Sequence, residues 1–338
     1  MSASILAYRN TTGADPHRVR RAAIMRAHPE IATLSGWDSR PVHRAALALG
    51  VQLLLAWSVA QLSGLLRGAA LAGVCLLLAW TVGAILAHYG GVVIHEASHN
   101  LCARSAFANR WIGIFANLIQ LVPYAMTFRR HHMTHHVHLG VIGVDNDLPK
   151  PFEQKVVSNR PLRKLVWLFL YPFVGGSLRG YVGAPDRWEV ACFVAVVAFD
   201  LLLYRLLGPV GLAYLGLSAF LSGSLHPVAA HFIHEHYLWD ERQETYSYYG
   251  PLNRVTENMG YHVEHHDFFD VPGSRLPELN RLACEFYDPL VSHRSWTGIL
   301  WSFVTDSRLS HYSRYVRERA RVRGAVVETM PHGPGVAS

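Results

Sequence analysis

The sequence predicts an all-α integral membrane protein: four transmembrane helices in two hairpins, with a cytoplasmic helical cap holding a histidine-rich two-metal site. Three observations predict it. Hydrophobic residues make up 51% of the chain and charged residues only 16%, an apolar balance for a soluble protein. Apolar runs long enough to cross a bilayer occur in two close pairs. Histidines recur as HxxxH at His95 and His99, and as HxxHH at His132, His135 and His136 and again at His262, His265 and His266. With 21 histidines in 338 residues, a given HxxHH should arise about 0.08 times by chance. Two copies are chemical, not compositional.

Taken in order, residues 1–44 form an N-terminal cytoplasmic segment. Its first 20 residues lack the apolar core of a signal peptide, and Ser2 after Met1 excludes N-myristoylation. A membrane domain over 45–320 follows. Its first span, about 45–66, is bounded by Arg44 and Arg67; the second is about 69–87, and the short Arg67-Gly68 link makes a tight hairpin. The apolar patch Trp111 to Phe128 contains Asn117, Gln120 and Pro123, so it reads as buried or interfacial rather than spanning. Leu165 to Val182 is broken by Pro172, Gly175, Gly176 and Arg179 and reads as interfacial or re-entrant. Spans three and four, about 190–207 and 208–225, join at Gly208-Pro209. Asp200 and Arg205 lie in or near span three, where Arg205 can snorkel to the hairpin tip. Residues 321–338 read as a disordered tail.

Arg9, Arg18, Arg20, Arg21, Arg26, Arg40 and Arg44 precede span one, and the hairpin tips carry little beyond Arg67 and Arg205. The positive-inside rule then puts both termini and the long middle segment in the cytoplasm. Membrane orientation accounts better for the net charge of +7 than nucleic-acid binding does. Cys75, Cys102, Cys192 and Cys284 are scattered and imply no disulfide framework.

This topology brings the three histidine groups to one side. On a helix, residues three and four apart share a face, so each group offers two or three imidazoles to one locus. Eight imidazoles exceed the four ligands of a tetrahedral metal. They suit two metals with open positions, and imidazole by itself does not choose among iron, copper, zinc and nickel. A ninth ligand is expected near His231-Phe232-Ile233-His234-Glu235-His236, where spacing favours His231 and His234. His88, seven residues before His95, lies on the same stripe but reads as a structural residue. Glu96, Asp145, Asp147, Glu235, Glu264 and Asp267 are candidates to bond the other ring nitrogens.

These motifs resemble the membrane fatty-acid desaturase and hydroxylase superfamily. The segments HEASHN (His95 to Asn100), HHMTHHVHLG (His131 to Gly140), HPVAAHFIHEHY (His226 to Tyr237), ETYSYYGPLN (Glu244 to Asn253) and NMGYHVEHHDFFDVPG (Asn258 to Gly273) resemble the sphingolipid Δ4-desaturases. The segments from Asp15 to Leu34 and Ser313 to Arg317 look similar too. The resemblance implies an O2-dependent di-iron enzyme that puts a trans 4,5 double bond into dihydroceramide, giving ceramide. It implies electrons from cytochrome b5 and its reductase, or from a ferredoxin-like donor. The membrane would be the endoplasmic reticulum in a eukaryote or the inner membrane in a bacterium. It also favours His236, in the Glu235-His236 element, as the ninth ligand. Two departures are visible: the glycine that animal members offer for myristoylation is missing, and His131 and His234 are added histidines. Tyr246, Tyr248, Tyr249 and Asn253 could anchor a headgroup or could merely pack.

Other readings fare less well. His95-Glu96-x-x-His99 fits the HExxH zinc-peptidase helix, but that enzyme needs one more ligand and leaves both HxxHH groups unexplained. Soluble di-iron bundles need paired ExxH motifs, and only Glu96-x-x-His99 is placed to serve. A metal carrier would line its spans with histidines. The nearest rival shares the fold: a sphingolipid C4-hydroxylase, or an enzyme doing both reactions.

Overall fold

A computed structural model describes residues 7–177 and 184–318. The tail expected at 321–338 and the end of the 165–182 run lie outside the described residues. The chain is mostly helical. Its strands are two-residue parallel pairings, Arg9–Asn10 with Tyr315–Val316 and Ser247–Tyr248 with Ser292–His293. The first ties the beginning of the chain to its far end.

Helix α1, Pro16–Ala27, is started by the Asp15 side chain, which accepts from the His17 backbone N–H, and by Pro16 in its first turn. Helix α2, Arg40–Leu62, and helix α3, Gly68–Ser98, are both long and apolar enough to cross a membrane. Helix α3 runs five residues through a π turn, Ala79–Gly83. Its 31 residues rise about 46 Å, more than the ~30 Å of a hydrocarbon core. The second run therefore extends past its expected end at 87, and His95 rides on the continuation of the same helix.

Helices α4, Ala106–Asn117, and α5, Ala125–Val137, come next. The turn Leu118–Gln120 extends α4, and the pair is bent by 117°. The polar residues that disqualify this stretch as a straight span are the ones that make the bend. Asn117 Oδ1 accepts from the backbone N–H of Tyr124 and Ala125, its Nδ2 donates to the Val122 carbonyl, and Gln120 Nε2 donates to the Ala87 carbonyl.

Helix α6 is Pro161–Ser177 and α7 is Arg187–Ser222. Within α7, Gly208 sits at φ 66°, ψ −175°, just before Pro209. That backbone is open essentially to glycine alone, so the helix is broken there. A third apolar stretch long enough to span, Arg187–His234, contains this break. Helices α2, α3 and α7 are pinned by a buried polar chain: Tyr214 OH donates to Gln52 Oε1, and Gln52 Nε2 donates to the Gly83 carbonyl. Large apolar side chains such as Leu54, Trp57, Leu77, Phe193 and Leu201 are left exposed on these helices. A band of that kind suits lipid, not water, and the protein is a membrane protein. Further histidines lie on α5, the single turn His231–His234 and α8 (His262–Asp267), while α9 (Trp296–Thr305) packs its Trp296, Ile299 and Phe303 into an apolar cluster beside that turn.

Candidate metal centre

Nine histidines converge in two groups. The side-chain nitrogens of His95, His99, His132, His136 and His265 lie within 4.8 Å of one another, as do those of His135, His236 and His266. His262 joins the second group through its Nε2, 3.0 Å from His236 Nε2. Three further Nε2–Nε2 approaches link the rings: His132–His136 at 3.1 Å, His135–His236 at 3.1 Å and His136–His265 at 3.2 Å.

The expectation that each motif serves one locus is overturned. Both HxxHH groups are split: His132 and His136 go to the first locus and His135 to the second, while His262 and His266 go to the second and His265 to the first. The cause is helical geometry. Residues four apart are offset by about 40° around the axis, whereas neighbours such as His135 and His136 diverge by about 100°. A single helix inserted between two loci therefore feeds both.

Carboxylates orient some of these rings. His135 Nδ1 is 3.0 Å from Asp145 Oδ1, and Asp145 is fixed in turn by the backbone N–H groups of Gly140 and Asp147. Glu235 Oε1 stands 3.6 Å from His262 Nδ1 and 2.9 Å from His231 Nδ1. Glu96 Oε1 is 3.5 Å from His95 Nδ1, while its Oε2 accepts from the Gly273 N–H. Asp147 accepts from Arg314. Glu264 faces away, accepting from Ser247, Tyr249 and Asn280, each at 2.6 Å. Asp267 binds His17 and Arg20.

The spacing argument for His231 and His234 fails. His231 turns to Glu235 and packs edge-on against His88, 4.9 Å between ring centroids. His234 packs among Tyr248, His293 and Trp296. The segment after α7 holds a 3-10 turn, Pro227–Ala230, and one short helical turn, His231–His234. Beyond it the chain leaves the helix, so helical spacing does not predict where His236 points. Tyr246, Tyr248, Tyr249 and Asn253 are occupied by packing: Tyr246 OH bonds two carbonyls, Tyr248 stacks on Trp296, Tyr249 bonds Glu264, and Asn253 bridges Tyr248 and Gly260. His17 and Thr245, described further below, reach the second locus without any periodic signal in the sequence.

The donor set fits metal ions. Burial pushes the imidazoles of His132, His136, His236, His262, His265 and His266 well below their usual range, so these rings are neutral, the form that ligates. At His135 burial acts in the same direction, but Asp145 overrides it and the net shift is upward. Buried ring nitrogens of His95, His99 and His266 lack any hydrogen-bond partner within the protein. Such orphaned atoms are costly unless something else binds them. A narrow cavity lined by His95, Glu96, Glu257, Met259, His262 and His265 touches both loci. On its wall Glu257 accepts from Arg44 and from Tyr89 OH.

Apolar helices bearing convergent histidine clusters define the class of membrane desaturases. The fatty acid desaturase family matches residues 67–298, and the chain is an oxidoreductase of that family. A second match, to the sphingolipid Delta4-desaturase family, covers residues 8–40. The chain is 41% identical over 308 residues to sphingolipid delta(4)-desaturase DES1 of Xenopus tropicalis, covering 90% of this chain and 92% of that protein. It is 40% identical over 308 residues to a DES1-like protein of Oryza sativa subsp. japonica, covering 90% of each. Against sphingolipid delta(4)-desaturase/C4-monooxygenase DES2 of Homo sapiens it is 41% identical over 307 residues, covering 89% of this chain and 92% of that protein. The chain belongs to the sphingolipid Δ4-desaturase family.

Proposed function

We propose that this protein removes two hydrogens from carbons 4 and 5 of the sphinganine base of a dihydroceramide-type lipid, leaving a trans double bond. The likeness to sphingolipid delta(4)-desaturase DES1, 41% identical over 308 residues, carries the substrate, and the split of both HxxHH groups into two adjacent imidazole cages supports the chemistry. Two irons would be held there, one by His95, His99, His132, His136 and His265, the other by His135, His236, His262 and His266. When bound they supply the oxidising power, with O2 and two external electrons, to break an unactivated C–H bond. The electron donor would be cytochrome b5 with its reductase, or a ferredoxin-like protein.

The chain's own residues supply position. Every methylene in the lipid is chemically alike, so only placement selects carbons 4 and 5. Those carbons adjoin the hydroxyl and amide of the base, so the polar head must enter beside the metals. Asp145 steadies the ring of His135.

The membrane domain over 45–320 would cross the bilayer four times, with the break at Gly208 turning the third apolar stretch into a second hairpin. Both termini and the cages would face the cytoplasm. A C4-hydroxylase activity is the second reading, favoured by the resemblance to the DES2 desaturase/C4-monooxygenase. Cells expressing the protein should convert a short-chain dihydroceramide to a product lacking two hydrogens, read by mass spectrometry. Gain of one oxygen would mark hydroxylation. An untouched dihydroceramide, with a fatty acid or sterol altered instead, would overturn the substrate.

A further inference from the structure

The second cage is tied to the first helix of the chain by an unbroken line of polar contacts. His236 Nδ1 lies 3.4 Å from Thr245 Oγ1, Thr245 Oγ1 lies 2.8 Å from His17 Nε2, and His17 Nδ1 lies 2.7 Å from Asp267 Oδ1. All four residues are buried. With the His17 ring neutral the line has one consistent proton order, Arg20 Nη2 standing alongside at 3.2 Å from His17 Nδ1. Asp267 only accepts, so His17 donates to it through Nδ1. In the neutral ring His17 Nε2 then accepts the Thr245 hydroxyl proton, which leaves the hydroxyl oxygen to accept Nδ1–H of His236. His236 is thereby held in the tautomer whose Nε2 lone pair is free, and that Nε2 is the atom 3.0 Å from His262 and 3.1 Å from His135. Asp267 is independently clamped by Arg20, whose Nε and Nη2 reach its two oxygens at 2.6 and 2.9 Å. His17 also lies against His266, 4.9 Å between ring centroids.

We infer that His17 and Thr245 are positioning residues of the second metal locus, so that helix α1 forms part of the metal centre as its outer wall. This rests on the reading that His236 is a metal ligand. It also gives the separately matched segment 8–40 a chemical task within the site: a carboxylate at one end of the line fixes a ligand at the other, through a histidine that binds no metal. Partners of this kind typically alter metal affinity by roughly 10–100-fold.

The test uses the full-length protein in detergent, loaded with ferrous iron. Bound iron is counted by elemental analysis, and its release to a chelator is timed. Thr245→Val keeps the side-chain shape but deletes the hydroxyl; it should speed release of half the iron by roughly 10–100-fold and leave the other half unchanged. Thr245→Ser should restore the wild-type rate, and His17→Gln should do better than His17→Ala, because its amide oxygen can still accept the hydroxyl proton. Limited proteolysis of the N-terminal segment checks that α1 stays docked in Thr245→Val. Wild-type release kinetics in docked Thr245→Val would overturn the inference. Wild-type protein that takes up no iron would overturn the underlying metal reading instead.

Discussion

At the scale of single residues, the environment of each imidazole separates ligand from bystander. His135 is buried, presents Nε2 to His236, and has Asp145 on its other nitrogen. His231 is buried as well and likewise has a carboxylate, Glu235, on its Nδ1, but its ring packs against His88 and it is not among the histidines whose nitrogens converge in either group. His135→Ala should therefore abolish lipid product and lower bound iron, while His231→Ala should keep its iron. Loss of iron in the second variant would move His231 into the cage. Spacing could not make this distinction, because it describes a helix that ends within a turn of His231.

Among the elements, the loop after α8 is fastened to the start of α2 by Asp38. Its carboxylate accepts from Ser274 Oγ at 2.6 Å and from Arg40 Nη2 at 2.6 Å, and its backbone N–H donates to the Leu101 carbonyl. Burial raises this carboxyl, but Arg40 and Ser274 outweigh burial and hold it well below its ordinary value of 3.8. A carboxyl lowered in the fold stabilises the folded state above its unfolded value, and that contribution is lost as pH falls. The unfolding midpoint of wild type should exceed that of Asp38→Asn near neutral pH, and the gap should shrink as pH drops below about 4. A gap that stays constant down to pH 3 would exclude the carboxylate charge as its source. The same loop carries Gly273, whose N–H reaches Glu96 beside His95, so this clasp also sets the approach of α8 to α3. Other element-scale features were legible from side-chain chemistry: Asn117, Gln120 and Pro123 signalled a broken stretch, and the 117° bend is built from the first two.

For the whole molecule, the proposed topology, argued from the apolar runs and the arginine bias, puts every histidine group on one cytoplasmic face. Cys284 is exposed, and Leu65, 82% exposed, lies in the link between α2 and α3. In sealed vesicles a membrane-impermeant maleimide should label Cys284 from the cytoplasmic side only. A Leu65→Cys protein should gain a site labelled from the other side only. Labelling of both from one side would break the four-crossing topology. The sequence by itself determined that the protein is helical and apolar enough for a membrane, that its histidines recur as two HxxHH groups and one HxxxH, the pattern metal ligation requires, and, through its motif segments, which family it resembles. Those properties are written in composition and in local period. The family resemblance had already favoured His236 over His231; tertiary structure alone decided how the motifs divide between two loci and that His17 stands behind the second. The contact between His17 and Thr245 joins residues 228 apart, and no local period encodes a hydrogen bond between segments that meet only once the chain has folded.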